Sequence, residues 1–136
     1  MFEMHQKVLF KHCDPAGIVF YPRYFEMVND CVEAFFDNVL GAPFEDLHGS
    51  GAMPTAQIQT RFTAPSRHGD HLVLTLSICT VGRSSVEYQI IASCADQRRF
   101  ETTATLVNVN LDGKPTGWPG ELGAKLRDCK DKTNDS

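Results

Sequence analysis

One long amphipathic helix followed by an unbroken series of alternating segments is the feature that most constrains this chain. Pro22 suits a first helical position, where a missing N–H costs nothing, and Phe25, Val28, Val32, Phe35 and Val39 follow at spacings of three and four. Arg23, Glu26, Asp30, Glu33 and Asp37 occupy much of the remaining surface. This spacing predicts a helix of about five turns with one apolar stripe, stopped by Gly41 and Pro43.

After a polar, glycine-rich connection around His48 to Gly51, the period changes from 3.6 to 2. Ile58, Phe62 and Ala64 alternate with Gln57, Gln59, Arg61 and Thr63. Leu72, Leu74, Leu76 and Ile78 form the next alternation, Val86 to Cys94 a third and Phe100 to Asn110 a fourth. Breaks at Pro65 to Asp70, Gly82 to Ser84 and Asp96 to Arg98 are short enough for antiparallel hairpins. A further short strand is expected at Gln6 to Lys11, and a short C-terminal helix at Glu121 to Arg127. A single helix stripe and four consecutive antiparallel strands are most simply buried by wrapping the sheet around the helix, an α+β arrangement. Phe35, Phe36 and Phe62 read as core.

The 136 residues suit one domain, expected over 1–127, with 128–136 (DCKDKTNDS) a polar tail. A net charge of -4 and no basic stripe argue against a nucleic-acid partner. No apolar run approaches the roughly 20 residues of a membrane span, and the acidic start MFEMH is unlike a signal peptide. Five cysteines without C-x-x-C spacing read as reduced thiols, which predicts a soluble cytoplasmic protein.

The most unusual segment is HCDPAGIVFYPRYF, residues 12–25. It sets a carboxylate, Asp14, in a turn among apolar and aromatic residues, shortly before a helix N-terminus. The helix dipole and N–H groups without intrahelical acceptors can there hold a substrate carbonyl oxygen and polarise it. An Asp-Pro pair is equally the ordinary start of an Asx turn.

The run CDPAGIVFYPRYF resembles the signature of the 4-hydroxybenzoyl-coenzyme A thioesterase family and related bacterial acyl-coenzyme A thioesterases, where an Asp precedes a Gly-Val/Ile-aromatic stretch leading into the central helix. The resemblance implies the hotdog fold and hydrolysis of an acyl-CoA thioester, with Asp14 the catalytic carboxylate and the Tyr21 backbone N–H the oxyanion donor. It implies substrate contacts at Gly17 and Tyr24, although either Tyr24 or Phe25 can be the one that turns to the core. It also implies a homo-oligomer, a dimer or a dimer of dimers (homotetramer). A lone hotdog leaves a sheet face and an edge uncovered, which points the same way.

The sequence departs from that pattern at Val81-Gly82-Arg83-Ser84-Ser85, where hydroxybenzoyl-specific members tend to carry a bulky aromatic and several basic residues. Arg83 is a candidate phosphate contact and Ser84 and Ser85 candidate hydrogen-bonding groups, but the same residues suit a solvated hairpin. The pair Arg98-Arg99 reads first as solvated, with a phosphate contact as the lesser alternative.

Other chemistries fit less well. His12 with Asp14, or His68 with His71, supplies too few ligands for a metal, and no cofactor is expected because a thioester is already activated. Cys13, Cys31, Cys79 and Cys94 read as small apolar fillers, and Gly49-Ser50-Gly51 lacks the G-x-S-x-G elbow. The rival readings are a non-catalytic acyl-binding or accessory protein and a dehydratase or hydratase, the latter lacking its helix-start pattern here.

Overall fold

The computed structural model describes residues 1–134. Five strands form one antiparallel sheet in the order β1-β4-β5-β6-β3: β1 (Phe2–Lys7), β3 (Thr55–Phe62), β4 (His71–Val81), β5 (Ser85–Cys94) and β6 (Gln97–Val107). Helix α1 (Pro22–Asn38) lies against the inner face of this sheet. The four-residue α2 (Phe44–Leu47) follows it, and β2 (Gly51–Ala52) pairs with β7 (Val109–Asn110) as a separate two-residue ladder. This is the hotdog fold expected from the element order.

The core is the meeting of two periodicities. Leu72, Leu74, Leu76 and Ile78 of β4 are buried. So are Val86, Tyr88, Ile90 and Ala92 of β5 and Phe100, Thr102, Ala104 and Leu106 of β6. Against them α1 buries Tyr24, Met27, Val28, Cys31, Val32, Phe35 and Phe36. The larger side chains on such a stripe each contribute about 1.5–3 kcal/mol, which holds a helix that carries no side-chain N-cap. The stripe is rotated from the expected one: Phe25 lies at its rim and Val39 is 47% exposed. Tyr24 is the one of the Tyr24–Phe25 pair that turns inside, and Cys31 is buried as the apolar filler it was expected to be.

Both helices favour one side of the sheet. The nearest backbone approaches of α1 are to β1 and β4, and those of α3 (Leu122–Asn134) are to β4. The inner face of the far edge strand β3 is therefore only partly covered, with Ile58 44% and Phe62 46% exposed even though Phe62 meets the rings of Tyr21, Tyr24 and Phe25. Phe62 is thus not a core residue, contrary to the sequence expectation, although it pairs with buried Phe100.

Three boundaries differ from those expected. β1 runs over Phe2–Lys7 and not Gln6 to Lys11, because its partner β4 begins at His71, which lies opposite Lys7. Beyond that register Val8 bonds to Gly69 and Asp70, and the chain enters a 3₁₀ turn at Phe10–His12. β6 starts earlier, at Gln97, after a tight turn in which Ala95 and Asp96 both have positive φ. Finally, α3 does not stop at Arg127 but continues to Asn134, so most of the stretch read as a polar tail is helical. Leu122 and Leu126 anchor it, and Lys125 Nζ donates to the carbonyl of Leu40 at 3.1 Å. Residues 135 and 136 of that tail lie outside the described residues.

Candidate active site

The segment from His12 to Phe20 is a small hairpin laid across the start of α1. Asp14 N–H donates to Ile18 O (3.0 Å), Phe20 N–H to His12 O (2.9 Å), and Cys13 bridges Val19. At its tip Gly17 takes φ +80°, a left-handed conformation that an L side chain would strain, and its N–H donates to Asp14 O at 2.9 Å. The Asp14 carboxylate accepts the Ala16 N–H at 2.9 Å through Oδ1. The Asx turn is therefore real. Among the described residues Oδ2 has no hydrogen-bond partner. Asp14 and Gly17 line an open cleft of about 430 Å³ with Phe10, Cys13, Pro15 and His68, and the Phe10 and His68 rings meet edge-on.

The hairpin rests on its neighbours. His12 is 7% exposed and its Nδ1 accepts the Leu9 N–H at 2.8 Å. Burial, then the nearby Lys11 charge, lowers its pKa below 6.5 and favours the neutral ring that can accept this bond. On the other side Val19 N–H donates to Ser66 O at 2.9 Å and Ile18 bridges Arg67.

Tyr21 is the residue before α1, and the helix begins with Pro22. Arg23 N–H turns back to Phe20 O, and Tyr24 N–H to Tyr21 O. The Tyr21 N–H has no acceptor among the described residues, so it remains available to an external oxygen. The Tyr21 side chain lines a neighbouring cleft with Ile18, Val19, Phe62 and Pro65, and its ring meets Phe20, Phe25 and Phe62. Tyr24 is only 4% exposed; it stacks on Phe62, meets Phe100 at a tilt, and its hydroxyl contacts Ser66. Phe25 is the one of the pair that faces outward. It opens onto a third, mostly apolar cleft of about 300 Å³ with Val28, Asn29, Ile58 and Tyr88. Burial pushes the Tyr88 phenol up to about 12, so it stays a hydroxyl there.

Arg83, Ser84 and Ser85 are not brought to Asp14. The Asp14 hairpin rests beside the start of β4, whereas these residues follow its end, an 11-residue strand away, or roughly 35 Å at about 3.3 Å per residue. Their backbone is tied to the C-terminal connection instead: Trp118 N–H donates to Arg83 O at 3.2 Å and Asn108 N–H to Ser84 O at 2.7 Å.

Sequence reasoning missed the ion pair beneath the hairpin. Arg99 is 9% exposed, and its Nη1 reaches Asp70 Oδ2 at 2.7 Å, Pro65 O at 3.1 Å and Ser66 Oγ at 3.2 Å. This corrects its reading as a solvated residue; Arg98, its neighbour, is exposed and pairs with Glu101. Alternation would turn Arg99 outward, but β5 and β6 pair Ala92 with Phe100 and Ser93 with Arg98, so Arg99 is the extra residue of a β-bulge and points in beside Phe100.

No group of three or more potential metal ligands occurs among the described residues. No helix among them is long and apolar enough to cross a membrane.

Solved structures of several proteins share this fold. A 1,4-dihydroxy-2-naphthoyl-CoA thioesterase from Synechocystis superimposes with a TM-score of 0.86 at 20% identity, covering 93% of this chain and 96% of that one. A gentisyl-coenzyme A thioesterase gives 0.82 at 24% identity, over 89% and 98%. A mutant 4-hydroxybenzoyl-CoA thioesterase complexed with 4-hydroxybenzoyl-CoA gives 0.83 at 21%, over 92% and 97%. Comparison with curated protein sequences yields no significant match. The family model of the thioesterase-like superfamily matches residues 8–126, nearly the whole folded chain, and the chain therefore belongs to that superfamily of thioester hydrolases.

Proposed function

We propose that this protein hydrolyses an acyl-coenzyme A thioester to the free acid and coenzyme A, with Asp14 as its catalytic carboxylate. The observation that supports this is a half-engaged carboxylate shortly before a vacant helix-start donor in the chain. Asp14 Oδ1 is held by the Ala16 N–H, and among the described residues neither Asp14 Oδ2 nor the Tyr21 N–H has a hydrogen-bond partner.

In the nucleophilic route Oδ2 attacks the thioester carbonyl, the C–S bond breaks, and coenzyme A leaves as the thiolate. Water then opens the resulting mixed anhydride, releasing the acid and restoring the carboxylate. In the general-base route Asp14 takes the proton of the attacking water directly. Either way the developing oxyanion is stabilised by the Tyr21 N–H, a contribution of about 3 kcal/mol for one such donor. Single-turnover hydrolysis in ¹⁸O-water separates the routes, because only a nucleophilic carboxylate takes label into the enzyme.

An aromatic or short-to-medium acyl group suits the apolar cleft of Phe25, Val28 and Ile58, in which Asn29 and Tyr88 can meet a polar substituent. The names of the three similar thioesterases, all acting on aromatic acyl-CoAs, support the aromatic choice. Gly17 contributes by shaping the tip that presents Asp14. No cofactor is needed.

We further assign the protein as a homo-oligomer, a dimer or a dimer of dimers, in which the half-exposed inner face of β3 at Ile58 and Phe62 is covered by a second copy. In such an assembly Arg83, Ser84 and Ser85 of a neighbouring copy are the candidates for the coenzyme A phosphates, since those of the same chain lie at the wrong end of β4. Five free thiols suit the reducing cytoplasm.

The Asx turn at Asp14 favours one rival, a non-catalytic acyl-binding protein in which Asp14 serves the fold alone. Release of free thiol from a panel of aromatic, short-chain and long-chain acyl-CoAs decides between them. Hydrolysis of at least one aromatic thioester is expected, and no thiol release from any member would support the binding reading.

A further inference from the structure

The hairpin that presents Asp14 is anchored by buried Val19 and by backbone bonds to the segment that lies under it. Its inward strand is hydrogen-bonded to the β3–β4 connection through Val19 N–H to Ser66 O at 2.9 Å, continued by the Ile18–Arg67 bridge. That connection contains Pro65 and has no strand partner of its own at Ser66, a residue that is 0% exposed. Arg99 supplies what the sheet does not. Its Nη1 donates to Pro65 O, Ser66 Oγ and Asp70 Oδ2, and Asp70 Oδ2 also accepts the Arg67 N–H at 2.9 Å. The Arg99 backbone carbonyl accepts N–H bonds from Thr63 and Ala64, so both ends of this residue grip the same segment.

We infer that Arg99 is a positioning residue for Asp14: bulged inward from β6, it locks the Pro65–Asp70 segment on which the Asp14 hairpin is hung. The mechanical part of this statement, tethering of the hairpin, stands on geometry alone. Its consequence for turnover rests on the proposed role of Asp14.

The chemistry of the contact predicts an unusual tolerance. Arginine is normally irreplaceable by lysine where it grips a carboxylate with two nitrogens. Here one nitrogen, Nη1, carries all three side-chain bonds, and Nε is buried with no partner. A lysine ammonium has three donors for the same three acceptors and leaves no orphaned N–H behind. Arg99→Lys should therefore keep the tether, whereas Arg99→Met, which fills similar space without a donor, should release it and leave Asp70 with the Arg67 N–H but without its cationic partner.

Amide hydrogen exchange of Val19, compared with Ile90 in the central strand β5, reads the tether directly, alongside steady-state hydrolysis of benzoyl-CoA. In Arg99→Met, Val19 exchange should accelerate on the order of tenfold more than that of Ile90. The kcat should fall by a similar order with KM changed less than about threefold, because a displaced catalytic group affects the reaction step more than ground-state binding. Arg99→Lys should restore both readouts to within about threefold. Val19 protection that falls no more than that of Ile90 in Arg99→Met, or that Arg99→Lys fails to restore, would overturn the inference. Selective loss of Val19 protection with undiminished kcat would uphold the tether but overturn Arg99 as a positioning residue, and the role of Asp14 itself is read separately from the turnover of Asp14→Asn. If Arg99→Met does not fold, Asp70→Ala takes its place: it removes the acceptor that Arg99 and the Arg67 N–H share while leaving the Arg99 bonds to Pro65 O and Ser66 Oγ. Val19 protection should then again fall more than that of Ile90, by a smaller margin, and an equal fall at both would overturn the inference.

Discussion

Asp14 accepts the backbone N–H of Ala16 with one carboxylate oxygen, Oδ1, at 2.9 Å, and among the described residues its second oxygen is uncommitted. The Asx turn and a chemical role are therefore compatible. The turn bond aims the carboxylate, and Pro15, which has no N–H, leaves Ala16 as the first following donor able to make it. What the turn does not do is satisfy the carboxylate, which has acceptor capacity left for a substrate or a water.

Gly17 sets the shape of that turn. An added Cβ would meet nothing within 4 Å, so the cost of a side chain here comes from φ +80° and not from crowding. Gly17→Ala is expected to lower unfolding stability by about 1–2 kcal/mol. It should lower turnover as well, since the Gly17 N–H closes the turn on Asp14 O. Denaturant unfolding with parallel kinetics checks this; unchanged values in both would show that the left-handed turn is unimportant.

His12 makes the hairpin base sensitive to acid. Its folded pKa is lowered from 6.5, chiefly by burial, so between the folded value and 6.5 the unfolded chain binds the extra proton. Stability should accordingly fall as the pH drops below about 6.5, with the loss complete once the pH is under the folded pKa. His12→Asn retains an acceptor near the Nδ1 position for the Leu9 N–H but cannot titrate. Its thermal midpoint should decline less over the same acid range, and an equally steep decline would assign the effect to other groups.

The exposed inner face of β3 is the surface on which assembly is expected. Ile58 is 44% exposed and lies outside the core, so Ile58→Asp should leave the monomer folded while placing a charge in an apolar interface. Sedimentation velocity at micromolar concentration should show the wild type as a dimer or larger and the variant shifted towards monomer. A monomeric wild type would remove the basis for this assignment.

Much of the fold was legible because burial here follows simple periods. The alternation of Leu72, Leu74, Leu76 and Ile78, and the spacing of Val28, Val32 and Phe35, are both realised in the core. What escaped were the departures from period. Arg99 turns inward only because a bulge adds one residue to β6, and no local pattern in Gln97 to Phe100 announces it. Phe62 looked like core from its place in an alternating strand, but burial on an edge depends on where the helix lies, which is a tertiary outcome. The Asp14 segment was conspicuous because turn formers, aromatics and an acid precede a Pro-started helix. The distance between it and Arg83 was not, since strand length acquires meaning only once both ends are placed.

The role of Asp14 is tested most directly by the turnover of Asp14→Asn. Asparagine keeps the size and the Oδ1 acceptor for the Ala16 N–H, while removing the charge and the second carboxylate oxygen. The variant should fold and assemble as the wild type does, as judged by thermal midpoint and sedimentation. Turnover of the best acyl-CoA substrate should fall on the order of a hundredfold or more, the scale of losing a general base or nucleophile. An Asp14→Asn protein that folds normally and retains more than about a third of wild-type turnover would contradict the mechanism, because either role contributes far more than a factor of three.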